Sequence, residues 1–315
     1  MENLVSIVVC CYNRKNYIGQ CLDSILAQKR NFPIEVIIGD DGSTDGTRDL
    51  LLEYKQKWPD IFVLQFQEKN LGIGGNWATT VKIGRGRYIA LCDDDDYWHN
   101  EYKLQKQIDI LENNSAIGLV HTDYRTLDEK GKLEEKKVKN IENDDLIQLL
   151  FKGKYSNLTS SCVFKKELLD KYVDLDDYVK YNFPIQDWNT WILIAKYTTF
   201  SHLPESTVTY RITSDSTSRP INYEKLSDKY AKEKIMYKYL CDKFPDDLPF
   251  NEKGWDSYVN HLLFSLAYKR KDFRKAKEYA KLLGNKKSLK IWSTKNRLFF
   301  ELFYFGKKIK NKYFS

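Results

Sequence analysis

No stretch of the 315-residue chain reaches the roughly 18–20 consecutive apolar residues that a membrane-spanning helix requires. The apolar run from Val5 to Cys11 follows Glu2 and soon meets Asn13, Arg14 and Lys15, so it is too short and wrongly flanked for a signal peptide. The six cysteines, Cys10, Cys11, Cys21, Cys92, Cys162 and Cys241, have neither paired metal-ligand spacing nor the density of a small secreted framework. That predicts free thiols, a reducing compartment and a cytoplasmic protein. No Gly-Lys-Ser/Thr phosphate loop occurs, which argues against an ordinary nucleoside triphosphatase. Gly72-Ile73-Gly74-Gly75-Asn76 lacks the third glycine of a dinucleotide fingerprint and comes late among the strands, so it reads as a helix entry.

The chain has ample apolar and aromatic content for a folded core, and its length suits one large domain or two smaller ones. Its net charge of +7 is concentrated at one end. Between 286 and 315, nine lysines and arginines stand against Glu301 alone, which leaves the rest of the chain near neutral. Trp292, Phe299, Phe300, Phe303 and Phe305 are interleaved with these cations, the pattern of an amphipathic helix lying in an anionic membrane interface, with a terminal helix docked on the core or on another subunit as the alternative. The expectation is a peripheral protein on the inner face of the cytoplasmic membrane. No base-reading module accompanies the tail, so nucleic acid is not an expected partner.

Apolar runs with strand character, Val5–Cys10, Ile34–Gly39, Ile61–Phe66 and Tyr88–Cys92, alternate with helical spacing over Tyr17–Gln28, Asp45–Trp58 and Gly74–Ile83. A helix over Glu101–Leu111 and a strand over Gly118–Tyr124 follow. Such alternation specifies an α/β fold with a mostly parallel sheet flanked by helices, in which ligands gather beyond the carboxyl ends of the strands. From Asn222 onward helical periodicity takes over, with Phe273, Ala276, Tyr279, Ala280 and Leu283 forming one apolar stripe. The predicted organisation is a domain over 1–220, a helical region over 221–285 and the basic aromatic tail over 286–315.

Carboxylates cluster at two predicted strand ends. Asp93-Asp94-Asp95-Asp96 closes the run Arg87 to Cys92, and in extended backbone Asp93 and Asp95 would converge while Asp94 and Asp96 face elsewhere. Four adjacent negative charges are costly without a cation, although a solvated acidic turn capping the next helix is the alternative. Asp40-Asp41 lies in the Gly-rich turn Gly39 to Thr47, where Asp45 suits a helix N-cap and one of the pair is left to accept a hydrogen bond from a ligand.

Three blocks, VSIVVCCYN (Val5 to Asn13), EVIIGDDGSTDGT (Glu35 to Thr47) and RYIALCDDDDYW (Arg87 to Trp98), together resemble the family 2 glycosyltransferases of the GT-A fold. The resemblance covers about the first 215 residues. It implies an inverting transferase using a nucleotide-diphosphate sugar, with UDP-sugar the expected donor and a lipid-linked or other surface glycan the expected acceptor. By the same resemblance the donor nucleotide falls to Tyr12, Asn13, Asp40, Asp41, Asp94 and Arg211, and a divalent cation, Mg²⁺ or Mn²⁺, to Asp93 and Asp95. Pro184-Ile185-Gln186-Asp187-Trp188-Asn189-Thr190-Trp191 is similar to the family's Glu-Asp-x-x-x-Trp block, which makes Asp187 the implied general base. Gln186 departs from that block, and Thr213 stands where the family often has a histidine that helps hold metal or diphosphate. The rival readings are a sugar nucleotidyltransferase, which would need a Gly-rich basic loop after the first strand, and a catalytically silent scaffold that only binds nucleotide or glycan.

Overall fold

The computed structural model describes residues 4–138, 146–155, 157–213, 223–284 and 294. In chain order the elements are β1 (Val5–Cys11), α1 (Ile18–Leu26), β2 (Ile34–Asp40), α2 (Thr47–Lys57), β3 (Phe62–Phe66), α3 (Gly72–Lys82), β4 (Tyr88–Leu91), β5 (Tyr97–Trp98) and α4 (Lys103–Asn113). They continue as β6 (Ile117–Leu127), β7 (Leu133–Lys136), α5 (Leu146–Phe151), a 3₁₀ turn (Thr159–Ser161), β8 (Val163–Lys165), α6 (Lys166–Tyr172), α7 (Leu175–Lys180), α8 (Asp187–Ala195) and β9 (Thr199–Arg211). Three helices follow, α9 (Tyr223–Lys243), α10 (Glu252–Lys269) and α11 (Phe273–Leu282).

One sheet carries the strands in the order β3-β2-β1-β4-β8-β6-β9-β5, with β7 paired to β6. The β3-β2-β1-β4 half is parallel, as the alternating pattern predicts. Beyond β4 the sheet is mixed: β8 runs antiparallel to both β4 and β6, β9 is parallel to β6, and β5 is antiparallel to β9. The carboxyl ends of the first four strands, the start of β8 and the latter half of β6 therefore open on the same side.

Packing explains the continuous apolar runs. β1 and β2 are buried on both faces, as central parallel strands between helical layers must be. One face packs Ile7, Val9, Ile38 and Val120 against Ile18, Leu22, Leu104 and Ile108 of α1 and α4. On the other, Trp191 of α8 meets Phe164 of β8 edge-on at 5.3 Å. Gly39 lets α3 approach β2 closely, since a Cβ there would lie 1.9 Å from the Thr80 hydroxyl. Gly72, predicted to open a helix, does open α3.

The chain forms two compact units, Met1–Pro220 with Ala231–Leu248, and Ile221–Tyr230 with Pro249–Ser315. Within the second, α10 and α11 pack Leu263, Phe264, Ala267 and Tyr268 against Ala276, Tyr279, Ala280 and Leu283, the stripe read from the sequence. Among the described residues no helix is long and apolar enough to cross a membrane. The basic aromatic tail over 286–315 and the polar loop Ser214 to Arg219 lie outside the described residues, apart from Thr294. All six cysteines are free thiols, with Cys21 and Cys92 in hydrogen-bonding contact at 3.5 Å.

Candidate active site

The four consecutive aspartates do not continue β4. The Asp96 N–H donates to the Asp93 carbonyl at 3.1 Å and closes a turn, so the extended-strand alternation used to partition them does not apply. Their roles are set by partners instead. Asp94 accepts from the Tyr12 N–H and from the Arg14 guanidinium, each at 3.3 Å. Asp96 is buried and accepts from the Ser160 hydroxyl at 2.6 Å and the Arg211 N–H at 3.0 Å. Asp93 and Asp95 face each other electrostatically: burial first, then Asp95, then Asp187 push the Asp93 carboxyl up to about 7. Burial and the same crowding raise Asp94 and Asp96 well above the usual carboxylate range, with Arg14 opposing the effect at Asp94.

The nucleotide-side loops are stitched together by backbone donors. Asn13 adopts a left-handed φ of 54°, its N–H donates to the Ser43 hydroxyl, and its side-chain oxygen accepts from the Thr44 N–H, both at 2.8 Å. Lys15 N–H meets Asp45 at 3.1 Å, and Asp45 also accepts from the Thr47 N–H at the start of α2, but the N-cap position predicted for Asp45 is taken by Gly46, whose left-handed φ of 91° turns the chain into the helix. Tyr12, beside this seam, keeps 48% of its surface exposed.

The neighbouring pair is not equivalent, which corrects the expectation that either could be left over for a ligand. Asp40 is fully buried, ion-paired to the Arg48 Nε at 2.5 Å and capped by the Ser43 N–H. Asp41 spends one lone pair on each oxygen, accepting from the Leu71 N–H at 2.7 Å and the Gly72 N–H at 3.0 Å. Burial raises its pKa and those two N–H groups oppose the rise. Both are buried, but both N–H donors to Asp40 fall on one oxygen and the Cys11 thiol at 3.8 Å on the other, whereas each Asp41 oxygen takes a single backbone N–H and keeps a second lone pair.

Asp187 is the first residue of α8, and Gln186 before it makes no side-chain cap. One Asp187 oxygen accepts from the Trp188 N–H at 2.7 Å and the other from the Thr159 hydroxyl. Thr159 belongs to the 3₁₀ turn whose next residue, Ser160, accepts from the Asp93 N–H at 2.9 Å and donates to Asp96. This single turn therefore ties the acidic cluster to Asp187. Trp98 anchors it from below, its indole N–H donating to the Ser160 carbonyl at 2.9 Å. Thr159 and Ser160 lie in the stretch Tyr155 to Ser161, whose loose likeness to the family's acceptor-side region gave them no individual partners, and Arg14 was not singled out in the sequence, because no spacing along the chain says what these side chains will touch.

Arg211, last in β9, holds the cluster from the front. Its Nε donates to the Asp95 carbonyl at 2.9 Å, one terminal nitrogen reaches the Gln20 side chain at 2.6 Å, and the guanidinium lies 5.2 and 5.5 Å from the Tyr17 and Tyr97 rings. Thr213 is buried, and its hydroxyl has no hydrogen-bond partner among the described residues.

The donor set fits a hard divalent cation. It offers only oxygens, it is crowded with like charge, and a cation would relieve the repulsion that lifts Asp93. Among the described residues no three His, Cys, Asp or Glu side chains form a ready-made cage. Two carboxylates completed by substrate oxygens and water is the arrangement expected of Mg²⁺.

Comparison with known proteins bears on the family and the fold. The family model described as Glycosyl transferase family 2 matches residues 6–173. The Mycobacterium tuberculosis protein Rv1520 is 33% identical over 208 residues, covering 66% of this chain and 58% of that protein, so the chain spans less than two thirds of this relative's length. Among solved structures, S. aureus TarS 1-349 in complex with UDP-GlcNAc superposes with a TM-score of 0.57 at 16% identity, over 98% of this chain and 88% of the other. The mannosyltransferase PcManGT from Pyrobaculum calidifontis, in complex with GDP-Man and Mn²⁺, gives a TM-score of 0.50 at 16% identity, over 98% and 87% of the two chains. At that identity the two structures speak to the fold, which is the GT-A arrangement.

Proposed function

This chain belongs to glycosyl transferase family 2, and from that premise we propose that it transfers a sugar from a UDP-sugar to a hydroxyl of a surface-glycan acceptor, with inversion and with Asp187 as general base. The observation that carries the reading is the 3₁₀ turn Thr159–Ser161, which holds Asp187 beside Asp93 although 94 positions separate them in the chain. A base and a diphosphate-binding cluster side by side are what a single displacement at an anomeric carbon needs.

The acceptor oxygen forms its bond to the anomeric carbon as its proton passes to the Asp187 carboxylate. The bond from that carbon to the diphosphate oxygen breaks, and its electron pair leaves with UDP. Thr159 and the Trp188 N–H orient the receiving carboxylate. A divalent cation held by Asp93 and Asp95 supplies Lewis-acid stabilisation of the departing diphosphate when bound. Tyr12, Asn13 and Asp41 take the nucleoside, Asp94 and Arg211 border the diphosphate, and Asp40 acts through Arg48 to set the turn that presents Asp41.

Thermal shift with a panel of nucleotide sugars, with and without Mn²⁺, tests the donor side. A ligand at 100 times its Kd should add about 2.7 kcal/mol of apparent stability, on the order of several °C for a chain of this size. Asp95→Asn should erase the Mn²⁺-dependent part of that shift. Absence of stabilisation by UDP, GDP and their sugars in the presence of Mn²⁺ would sink the reading.

The membrane side of the proposal rests on the basic aromatic pattern over 286–315. Full-length protein should co-sediment with vesicles containing anionic lipid far better than a chain ending at Gly284. Equal binding by the two would remove the tail from the mechanism.

A further inference from the structure

Between β6 and β9 lies a buried polar group that the proposed chemistry leaves unused. His121 of β6 and His202 of β9 are register partners on parallel strands, and their rings stack at 5.0 Å with 15° between planes. His202 Nε2 meets Asp123 Oδ1 at 2.8 Å, and that same oxygen accepts from the Val138 N–H at 2.8 Å. His121 Nε2 is hydrogen-bonded to the Tyr155 hydroxyl, with the two rings edge-on at 5.7 Å. All four side chains are buried, and His121 Nδ1 has no hydrogen-bond partner among the described residues.

The sheet is built around the cluster. The β6–β9 register shifts next to it: Thr122 pairs with Leu203 and Asp123 with Ser206, so Pro204 and Glu205 are extra residues on β9. Bulges concentrate next to functional sites. Burial, then His202, hold the His121 pKa down at about 3, so this ring stays neutral. Apolar side chains of similar volume often replace a buried ion pair without loss of stability, whereas a satisfied polar network rigidifies what it joins. Buried polarity at a bulge therefore points to a positioning task.

We propose that Asp123, His202, His121 and Tyr155 form a positioning unit for the general base, an inference that rests on the reading of Asp187 above. Tyr155 sits between two segments that touch the first turn of α8. On one side the Leu150 carbonyl accepts from the Trp188 indole N–H at 2.9 Å, and on the other Thr159 donates to Asp187. The Tyr155 N–H itself donates to the Leu149 carbonyl at 3.2 Å. With its hydroxyl fastened to a ring on a rigid central strand, Tyr155 holds both flanking segments in register with α8. The His121 ring is in turn held by its stack on His202, and His202 by Asp123.

The test uses the full chain with Tyr155→Phe, which removes one oxygen and keeps the ring. UDP release from the donor that gives the largest thermal shift should fall about tenfold in kcat, ~1.4 kcal/mol in the barrier, while the affinity for UDP with Mn²⁺ stays within about twofold. His121→Phe should reproduce the loss. His121→Gln, whose side-chain nitrogen can take the place of Nε2, should restore most of it. In an Asp187→Asn background Tyr155→Phe should cost nothing further, since the unit acts through that carboxylate.

Hydrogen exchange gives a readout independent of turnover: the Ser161 and Cys162 amides, which donate to Leu158 and Thr159 carbonyls, should exchange about tenfold faster in Tyr155→Phe. Unchanged rate with unchanged exchange overturns the proposal, and so does a loss that adds fully to that of Asp187→Asn. Should Asp187→Asn alone leave turnover intact, the base assignment falls, while the exchange measurement still decides whether Tyr155 tethers the turn.

Discussion

Asp187→Asn is expected to lower kcat by about 10²–10⁴-fold, the usual worth of a positioned general base. The substitution is nearly isosteric, and the amide oxygen can still accept from the Trp188 N–H or the Thr159 hydroxyl, so α8 should start where it does now. On the proposed role, what disappears is the capacity to receive the acceptor's proton. Donor binding should survive. Asp187 is one of the charges that push the Asp93 carboxyl up, and its removal eases ionisation of Asp93 rather than hindering it. UDP with Mn²⁺ should therefore bind no more weakly than to the wild type, and the whole loss should appear in kcat. Steady-state UDP release, paired with calorimetric UDP binding, measures the two separately. Near-wild-type turnover in this variant would remove Asp187 from the chemistry.

Lys103→Met is expected to stabilise the protein, by about 1–4 kcal/mol at neutral pH. Lys103 opens α4 and is fully buried, and its ammonium has no hydrogen-bond partner among the described residues. It lies 4.2 Å from the centre of the Trp98 ring, which recovers part of the cost of burial. Desolvation nonetheless pulls its pKa down to about 7 from 10.5, with the Cys92 and Cys162 thiols acting in the opposite direction. Each unit of that fall corresponds to about 1.4 kcal/mol.

The sign with pH follows from proton counting. Below about pH 7 both the folded and the unfolded chain carry the proton, and the full penalty of a buried charge is present. Between about 7 and 10.5 the unfolded chain binds a proton that the folded chain does not, so the wild type gains stability as pH rises. Methionine carries no such penalty, so its advantage should be largest at pH 7 and should shrink toward pH 10. Melting temperatures of both proteins across that range give the answer. A lower melting temperature for Lys103→Met at pH 7 would show that the ammonium has a partner of real strength. Trp98 holds the turn between Asp93 and Asp187, so the more stable variant should also be the slower one, as stability–activity trade-offs near active sites run.

Much of the first half of the fold was legible because its strands are buried on both faces. Val5–Cys11 and Ile34–Asp40 are nearly unbroken apolar runs, and the helices between them carry one apolar stripe each. The stripe of α11 was legible for the same reason. Other elements were hidden. β5 has two residues and β7 is a polar LEEK segment, too short or too polar to show a period. β9 was missed although it runs 13 residues, because Pro204 and Glu205 interrupt its pattern at the bulge.

By itself the amino-acid order determined the alternation of strand and helix, and with it a parallel half-sheet whose carboxyl ends gather Asp40, Asp41 and Asp93 to Asp96. These are local consequences of which residues repeat at which spacing, and local rules suffice for them. Only the tertiary structure decided what each carboxylate does. It gave Asp40 to Arg48, Asp94 to Arg14 and Asp96 to Ser160, and it left Asp93 and Asp95 crowded beside Asp187. Those pairings join residues far apart in the chain through a sheet that inserts β8 between β4 and β6. The energy of a buried charge depends on what lies within a few ångströms of it, and no spacing along the chain encodes that distance.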